Sequence, residues 1–451
     1  MAPAESLIRE AFDAGFQALI QACGLGSPRV LVAFSGGLDS TVLLHECVHR
    51  LGPSRVQAAH IDHRLQAGSA AWADHCRQVA QTLGVDCHTV ALTPPPRFPA
   101  GLEAWARDAR RAALRRLARE RGADAIALAH HADDQIETVL LNLGRGAGLR
   151  GASGMNAIGR HDDVWWWRPW LDVRRAALVQ VAQQRGLSWI EDPSNHDRRL
   201  RRNALRQQLL PLLEQTLPGF GENLLRHATL LGEADDLLEQ LLGGASCSAP
   251  GKLDRRMLRA LSSAEQGWHL RRWLAHNGLR APSRAVLAQM RAQLVTGDSP
   301  YARIEHDGRV LRRYRDQVEV VAPDVSHTPA TACTVRWQGQ ERLDLPGFAG
   351  VLIFAPASSG QGIARARLLG QRLTVAPLRG SARLRLNPDG PSRRLKTLCQ
   401  ERGVPVWERR RLPMLSDALG RPVFAAGFGA DAGWLTRDPT QDLLEIRYEA
   451  L

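Results

Sequence analysis

Val30-Leu31-Val32-Ala33-Phe34-Ser35-Gly36-Gly37-Leu38-Asp39-Ser40 is the stretch that decides the fold. An uninterrupted apolar run stops in a hydroxyl, two glycines and a carboxylate, and residues 41–51 then take up helical spacing. Such a run marks a strand buried on both faces, as in a parallel sheet. A glycine turn between that strand and a helix aims backbone N–H groups at an anion on the helix N-terminus. Gly36 and Gly37 carry no Cβ and admit phosphate oxygens to the backbone around Leu38. Ser35 and Ser40 add hydroxyl donors, and Asp39 is placed to hold a metal that bridges phosphates. The pattern G-x-x-x-x-G-K-[ST] is absent, so this is a phosphate cradle of another type.

Outward from this loop, apolar runs at residues 30–34, 56–61, 87–92 and 125–129 alternate with helical patterns at 75–83 and 102–121. That alternation predicts an α/β fold, a Rossmann-like parallel sheet with helices on its faces. Ligands in such sheets sit at the carboxyl ends of the strands. Residues 1–217 are read as this domain. Helical patterns at 223–242, 258–276 and 283–294, then strands near Ile304 and at 310–314, make residues 218–330 a mainly helical domain with a hairpin. Pro-, Ser- and Gly-rich segments make 331–365 a linker region, and 366–451 a small α+β domain around a helix at 392–402.

The formal charge is +13, and Lys252 and Lys396 are the only lysines among 59 basic residues. Arginine forks suit phosphates and base edges, so the balance points to a nucleic-acid partner. The cysteines Cys23, Cys47, Cys76, Cys87, Cys247, Cys333 and Cys399 form no C-x-x-C pair, which leaves a zinc ribbon, an iron–sulfur cluster and a disulfide framework without support. The amphipathic N-terminus and the lack of any apolar stretch long enough to span a bilayer predict a soluble, cytoplasmic protein with no membrane partner.

Four further clusters carry chemistry. His130-His131-Ala132-Asp133-Asp134-Gln135-Ile136-Glu137-Thr138 follows the 125–129 strand, and its carboxylates call for a cation, either magnesium or an amine. The basic glycine loop around Arg145 comes next. His60-Ile61-Asp62-His63 ends the second strand, where His60 or Asp62 is in place to reach adenine, ribose or metal. Glu103, Arg107 and Arg110 or Arg111 share a helix face, as an ion-pair ladder or a phosphate clamp. Trp189-Ile190-Glu191-Asp192-Pro193-Ser194-Asn195 precedes a basic run containing Arg202 and Arg206, so that acids for an ammonium stand beside arginines for RNA phosphates.

The S-G-G-x-D-S loop resembles that of the ATP pyrophosphatase (PP-loop) superfamily, whose members share an adenine nucleotide α-hydrolase-like fold. The string His130-His131-x-Asp133-Asp134-x-x-Glu137-Thr138, the Glu191-Asp192-Pro193-Ser194-Asn195 turn and Arg202-Asn203-x-x-Arg206 together resemble the tRNA(Ile)-lysidine synthetase family over about residues 25–215. A looser similarity covers Arg379, Lys396 and Pro405-Val406-Trp407-Glu408-Arg409. Two positions depart from the family: Arg64-Leu65-Gln66 stands where Gly-Leu-Arg is common, and Arg111 where a tyrosine is usual.

The resemblance implies a ligase that joins L-lysine to C2 of the wobble cytidine of tRNA(Ile) with a CAU anticodon. ATP adenylates the cytidine, AMP and diphosphate leave, and decoding changes from AUG to AUA. It implies ATP as co-substrate bound by Ser35, Gly36, Gly37, Leu38, Asp39, Ser40, His60 and Asp62, and Mg2+ held by Asp39 and Asp133. Asp39, Arg107, Asp133 and Glu137 are the expected catalytic residues. Arg110, His131, Asp134, Arg145, Glu191, Asp192, Asn195, Arg202, Arg206, Arg379, Lys396 and Arg409 are expected to bind lysine or tRNA. A homodimer is compatible with this reading. The alternatives are a tRNA thiolase of the same superfamily, a small-molecule amidating ligase, and a non-catalytic RNA-binding protein with a nucleotide fold.

Overall fold

The computed structural model describes residues 3–64, 69–95, 97–98, 101–161, 163–192, 201–243, 251–299, 302–321, 331–358 and 360–450, the side chains of Glu103 and His161 excepted. They form two compact units that divide between Ala245 and Ser246.

The first unit is built on six strands: β1 (Val30–Ala33), β2 (Val56–Asp62), β3 (Cys87–Ala91), β4 (Ala125–Ala127), β5 (Ile158–His161) and β6 (Val164–Trp167). Their order is β3-β2-β1-β4-β6-β5, parallel except for the β5–β6 hairpin. Ten helices accompany them: α1 (Pro3–Cys23), α2 (Leu38–Leu51), α3 (Ser69–Thr82), α4 (Leu102–Arg121), α5 (Ala132–Leu143), α6 (Leu149–Ala152), α7 (Arg175–Gln184), α8 (Arg201–Ala204), α9 (Leu210–Thr216) and α10 (Phe220–Leu242).

Period-two alternation explains why β1 is apolar throughout. Val30, Val32 and Phe34 enter one core with Phe12 of α1, Val42 of α2 and Leu178 of α7. Leu31 and Ala33 enter another with Leu114 and Leu117 of α4. Helices therefore cover both faces, and only the strand ends are left for ligands. Chain order reverses between β1 and β4, so the loops after these two strands flank the switch point where α/β sheets bind ligands.

The aromatic run Trp165-Trp166-Trp167, which the alternation of apolar runs and helices does not include, forms most of β6. Trp167 is fully buried, with its ring centroid 5.0 Å from that of Phe12 and 5.6 Å from that of Phe16. The Trp170 indole donates to the Ile8 carbonyl at 3.1 Å. These contacts dock α1 on the sheet.

Two expected boundaries need correction. Residues 218–243 do not begin a new domain, because Leu224 and Ala228 of α10 pack on Ile136 and Val139 of α5. Residues 331–365 are not a linker. Strands Cys333–Arg336, Arg342–Leu345, Gly350–Pro356 and Gly362–Ala364 are integral to two five-stranded sheets. Gly350–Pro356 pairs antiparallel with Leu443–Ala450, and Trp337, Leu352 and Phe354 fill the same core as Leu373, Leu415 and Ile446.

The second unit starts with helices Arg255–Arg259, Ser263–His276 and Arg284–Met290 on a four-stranded antiparallel sheet. The expected helix at 258–276 is broken where Ser262 caps a new one, its hydroxyl accepting from the Glu265 N–H. Asp307 and Gly308 turn the expected hairpin with φ of 48° and 71°. In the C-terminal part, the helix expected at 392–402 is Leu395–Glu401. Among the described residues no helix is long and apolar enough to cross a membrane.

Replacing Trp167 by Ala removes the partner of α1 and opens a large void. We expect the first unit to lose about 3–5 kcal/mol of unfolding free energy, measured by urea titration followed by far-UV circular dichroism.

Candidate active site

The loop after β1 is held by its own polar atoms. Ser40 Oγ accepts from the Ser35 N–H at 3.2 Å and donates to the Gly37 carbonyl at 3.0 Å. Thr41 Oγ1 donates to the same carbonyl at 2.9 Å, and Ser35 Oγ accepts from the Gly37 N–H at 3.3 Å. Gly36 has φ of +80°, and a Cβ there would stand 2.9 Å from Cys76 Sγ and 3.2 Å from Ile190 Cδ1. Both conformation and space restrict this position to glycine. The Gly36 carbonyl accepts from the Ile190 N–H at 2.8 Å, which ties the segment leading to Glu191 and Asp192 onto the loop.

A cavity of about 970 Å³ opens over this loop, large enough for a nucleotide. Ser35, Gly37, Leu38, Asp39, His60, Asp62, Arg110, Glu191, Asp192 and Arg206 line it, so four separate sequence clusters meet there. Trp72, Trp189, Val179 and Gln183 complete its walls. Ser40 lies behind the loop as a buried brace and Gly36 as its hinge. The buried His60 ring contacts the Phe34 carbonyl through Nδ1 at 3.1 Å. Burial lowers its pKa, so it meets a ligand as a neutral ring.

The carboxylates after β4 do not line this cavity, and each of them, like the cavity-lining Asp39, is set against an arginine. Asp39 takes Arg175 Nε at 3.2 Å. Asp133 accepts from the Arg175 backbone N–H at 2.8 Å and pairs with Arg174 at 3.1 Å. Glu137, with no exposed surface, accepts from Arg206 Nε at 2.6 Å and has Arg202 at 3.5 Å. Asp134 lies 3.6 Å from Arg206. Burial pushes Glu137 above the usual carboxylate range against the pull of Arg206. Asp134 goes the other way: burial would raise it, yet His131, His130 and Arg202 hold it below.

His131 caps α5. Its Nδ1 accepts from the Asp134 N–H at 3.4 Å, and the ring is 2% exposed, with Nε2 3.9 Å from Asp39. It therefore braces the acids from below. His130 is held neutral, its pKa lowered to about 3 by burial, and accepts from Arg168 Nε at 3.2 Å.

Not every expected residue reaches the cavity. Arg107 is 62% exposed beside Asp108, whereas Arg110, one turn on, is the arginine of α4 that faces inside. Arg111 stacks over Trp166 at 6.0 Å. Arg145 is exposed in the turn after α5. Asn195 lies outside the described residues. In the second unit, Arg379 and Lys396 are exposed and adjacent, the Lys396 N–H meeting the Gly380 carbonyl at 3.3 Å. Arg409 is largely committed within the fold, donating to the Val404 carbonyl at 2.9 Å and to the Tyr314 hydroxyl at 3.4 Å. Sequence reasoning passed over Arg174 and Arg175. Their one local signal is a helix whose first turn carries cations and no acid.

A parallel sheet with a serine–glycine cradle at its switch point and acids beside it defines a PP-loop nucleotide-binding domain. A PP-loop domain model matches residues 8–213, a TilS substrate binding domain residues 253–319, and a TilS substrate C-terminal domain residues 373–447. A tRNA(Ile)-lysidine synthase of Ralstonia nicotianae is 41% identical over 90% of both chains. Those of Burkholderia pseudomallei and Azoarcus sp. are 38% and 36% identical, covering 84% and 92% of this chain and 85% and 91% of theirs. The chain belongs to the tRNA(Ile)-lysidine synthase family. Among solved structures, a U34-tRNA thiolase of Methanococcus maripaludis is 18% identical with a TM-score of 0.43, over 51% of this chain and 80% of that one.

Gly36→Ala forces a strained φ and pushes on Cys76 and Ile190. We expect it to cost about 1–3 kcal/mol and to weaken ATP binding, read by thermal melts with and without nucleotide. Burial raises the Cys76 thiol to about 12, whereas Cys333 is exposed. Iodoacetamide at pH 8 should alkylate Cys333 quickly and leave Cys76 untouched in the native protein, as read by peptide mass analysis.

Proposed function

We infer that this chain is an ATP-dependent carbon–nitrogen ligase that joins L-lysine to C2 of the wobble cytidine of tRNA(Ile) with a CAU anticodon. The observation that carries the reading is the phosphate loop with Asp39 meeting Glu191 and Asp192 at one cavity, in a chain 41% identical over 90% of its length with a named lysidine synthase. Its setting is the cytoplasm, where its tRNA substrate resides.

A cytosine C2 carbonyl has no leaving group. Its oxygen attacks the α-phosphorus of ATP, the bond to the bridging oxygen breaks, and diphosphate departs with the electron pair. Backbone N–H groups of Gly37 and Leu38, with the Ser35 hydroxyl, receive that charge. Asp39 and Asp133 are hard oxygen donors that converge on Arg175, and Mg2+ takes one or two carboxylates plus phosphate oxygens. Among the described residues no set of three or more protein ligands gathers, which fits an ion whose remaining ligands come from the substrate. When bound there, Mg2+ would offset charge on the phosphates.

The lysine side-chain amine then attacks C2, the C2–O bond breaks, and AMP leaves with the oxygen. Attack requires a neutral amine, so one proton must go to a carboxylate. Glu191 and Asp192 line the cavity where an ammonium would enter, whereas Glu137 is shut behind Arg206. Glu191 and Asp192 therefore orient lysine, and Glu137 fixes Arg206. Arg110 faces the nucleotide, replacing Arg107 in the role expected from sequence.

A thiolase reading requires a reactive cysteine at the cavity. Cys76, which touches the loop, is buried with its thiol raised to about 12, so it stays protonated and inert.

Incubation with ATP, labelled lysine and tRNA(Ile) should yield labelled tRNA, AMP and diphosphate in equal amounts, with nothing formed when tRNA is withheld. Asp39→Ala should lower AMP release by at least about 10²-fold. Full lysine transfer by that variant would remove Asp39 from the reaction.

A further inference from the structure

Arg175 has no role in the scheme above, although it touches two of its carboxylates. Its Nε lies 3.2 Å from Asp39 Oδ1, and its backbone N–H donates to Asp133 at 2.8 Å. It opens α7, whose Arg175, Val179 and Gln183, spaced one turn apart, form the cavity-facing side, while Leu178, Val181 and Ala182 are buried on the other. The side chain is 42% exposed and lines the same cavity as Ser35 and Gly37. Arginine at the first position of a helix opposes the macrodipole, and α7 has no acid in its first turn to offset it. Helix stability therefore does not explain this arginine, and an anion in the cavity does.

We propose that Arg175 is a further catalytic residue, which holds Asp39 in the free enzyme and binds the departing diphosphate during adenylation. Resting on the ligase reading, this gives the leaving group a planar, permanently charged fork opposite the glycine loop. Three groups then surround the diphosphate: the N–H groups at the start of α2, the Ser35 hydroxyl, and the guanidinium at the start of α7. Diphosphate attracts the guanidinium by charge and geometry, so Asp39 is freed as the phosphates enter.

The test uses the full-length protein and inorganic diphosphate as probe. Arg175→Gln keeps the backbone N–H bond to Asp133, and its fold is checked by thermal melt. We expect its calorimetric affinity for diphosphate to fall at least ~10-fold. Its kcat/KM for ATP should fall about 10²-fold, with the KM for lysine within roughly a factor of two of wild type. Arg175→Lys, which restores charge without the fork, should recover part of the diphosphate affinity. A folded Arg175→Gln protein with wild-type diphosphate affinity would overturn the proposal, as would a rise in KM for lysine alone. Failure of the wild-type protein to make lysidine while diphosphate binding still depends on Arg175 would sink the ligase reading and leave the diphosphate contact standing.

Discussion

Four carboxylates crowd the switch point of the first unit, and their pairing with four arginines is the constraint that the site is built around. Asp39 comes from the loop after β1, and Asp133, Asp134 and Glu137 from the loop and first turns after β4. Close carboxylates cannot all stay ionised without cations near them. The chain answers with Arg174, Arg175, Arg202 and Arg206, which reach these acids from two later elements at 2.6–3.6 Å. The α7 segment and the α8 region are thereby fixed to the phosphate loop by charge as well as by packing. Any ligand that enters competes with internal ion pairs, so an anion is drawn to the arginines and a cation to the acids they release.

In the proposed reaction that arrangement separates the two ends. The loop after β1 and the start of α7 make an anion-seeking end, built from N–H groups, a hydroxyl and a guanidinium. Glu191 and Asp192 make a cation-seeking end, and the Ile190 N–H bond to the Gly36 carbonyl sets its position relative to the loop. Because Gly36 also touches Cys76, the loop, the acidic segment and α3 share one contact point, and that contact leaves no room for a Cβ. The glycine is needed for this close approach as much as for its positive φ.

Much of the first unit was legible because its strands are continuous apolar runs and its helices have clear periods. Helix α4 matches its expected bounds to the residue and β1 to β4 theirs to within one or two, whereas β5 and β6 have no counterpart in the sequence reading. The C-terminal region was not legible in the same way. Strands of three or four residues, such as Cys333–Arg336 and Gly362–Ala364, are too short to show a period, and their pairing is set by partners far along the chain, as Ile363 is by Leu444. Proline, serine and glycine there mark turns between strands, and the same composition also suits a linker. At the site, residues in tight motifs were found because the motif itself carries the chemistry. Arg175 was missed because its partner Asp39 is 136 positions away, and no local pattern announces such a contact. Arg107 was chosen over Arg110 because helix spacing puts both on one side, and only packing against the sheet decides which is turned inward.

The choice of arginine has a chemical consequence beyond charge. No lysine occurs before Lys252, so every basic side chain of the first unit other than histidine is a guanidinium. A guanidinium stays protonated at any working pH and is a poor nucleophile, whereas a buried lysine readily loses its proton and attacks electrophilic carbon. An adenylated cytidine is an electrophile that awaits an amine. A lysine at the position of Arg110, Arg175 or Arg206 would place a second amine on that cavity wall, held at high effective concentration against C2. It would compete with the diffusing substrate and couple the enzyme to its own tRNA. Guanidinium groups supply the charge that the carboxylates and phosphates require and leave the free amino acid as the amine presented to C2.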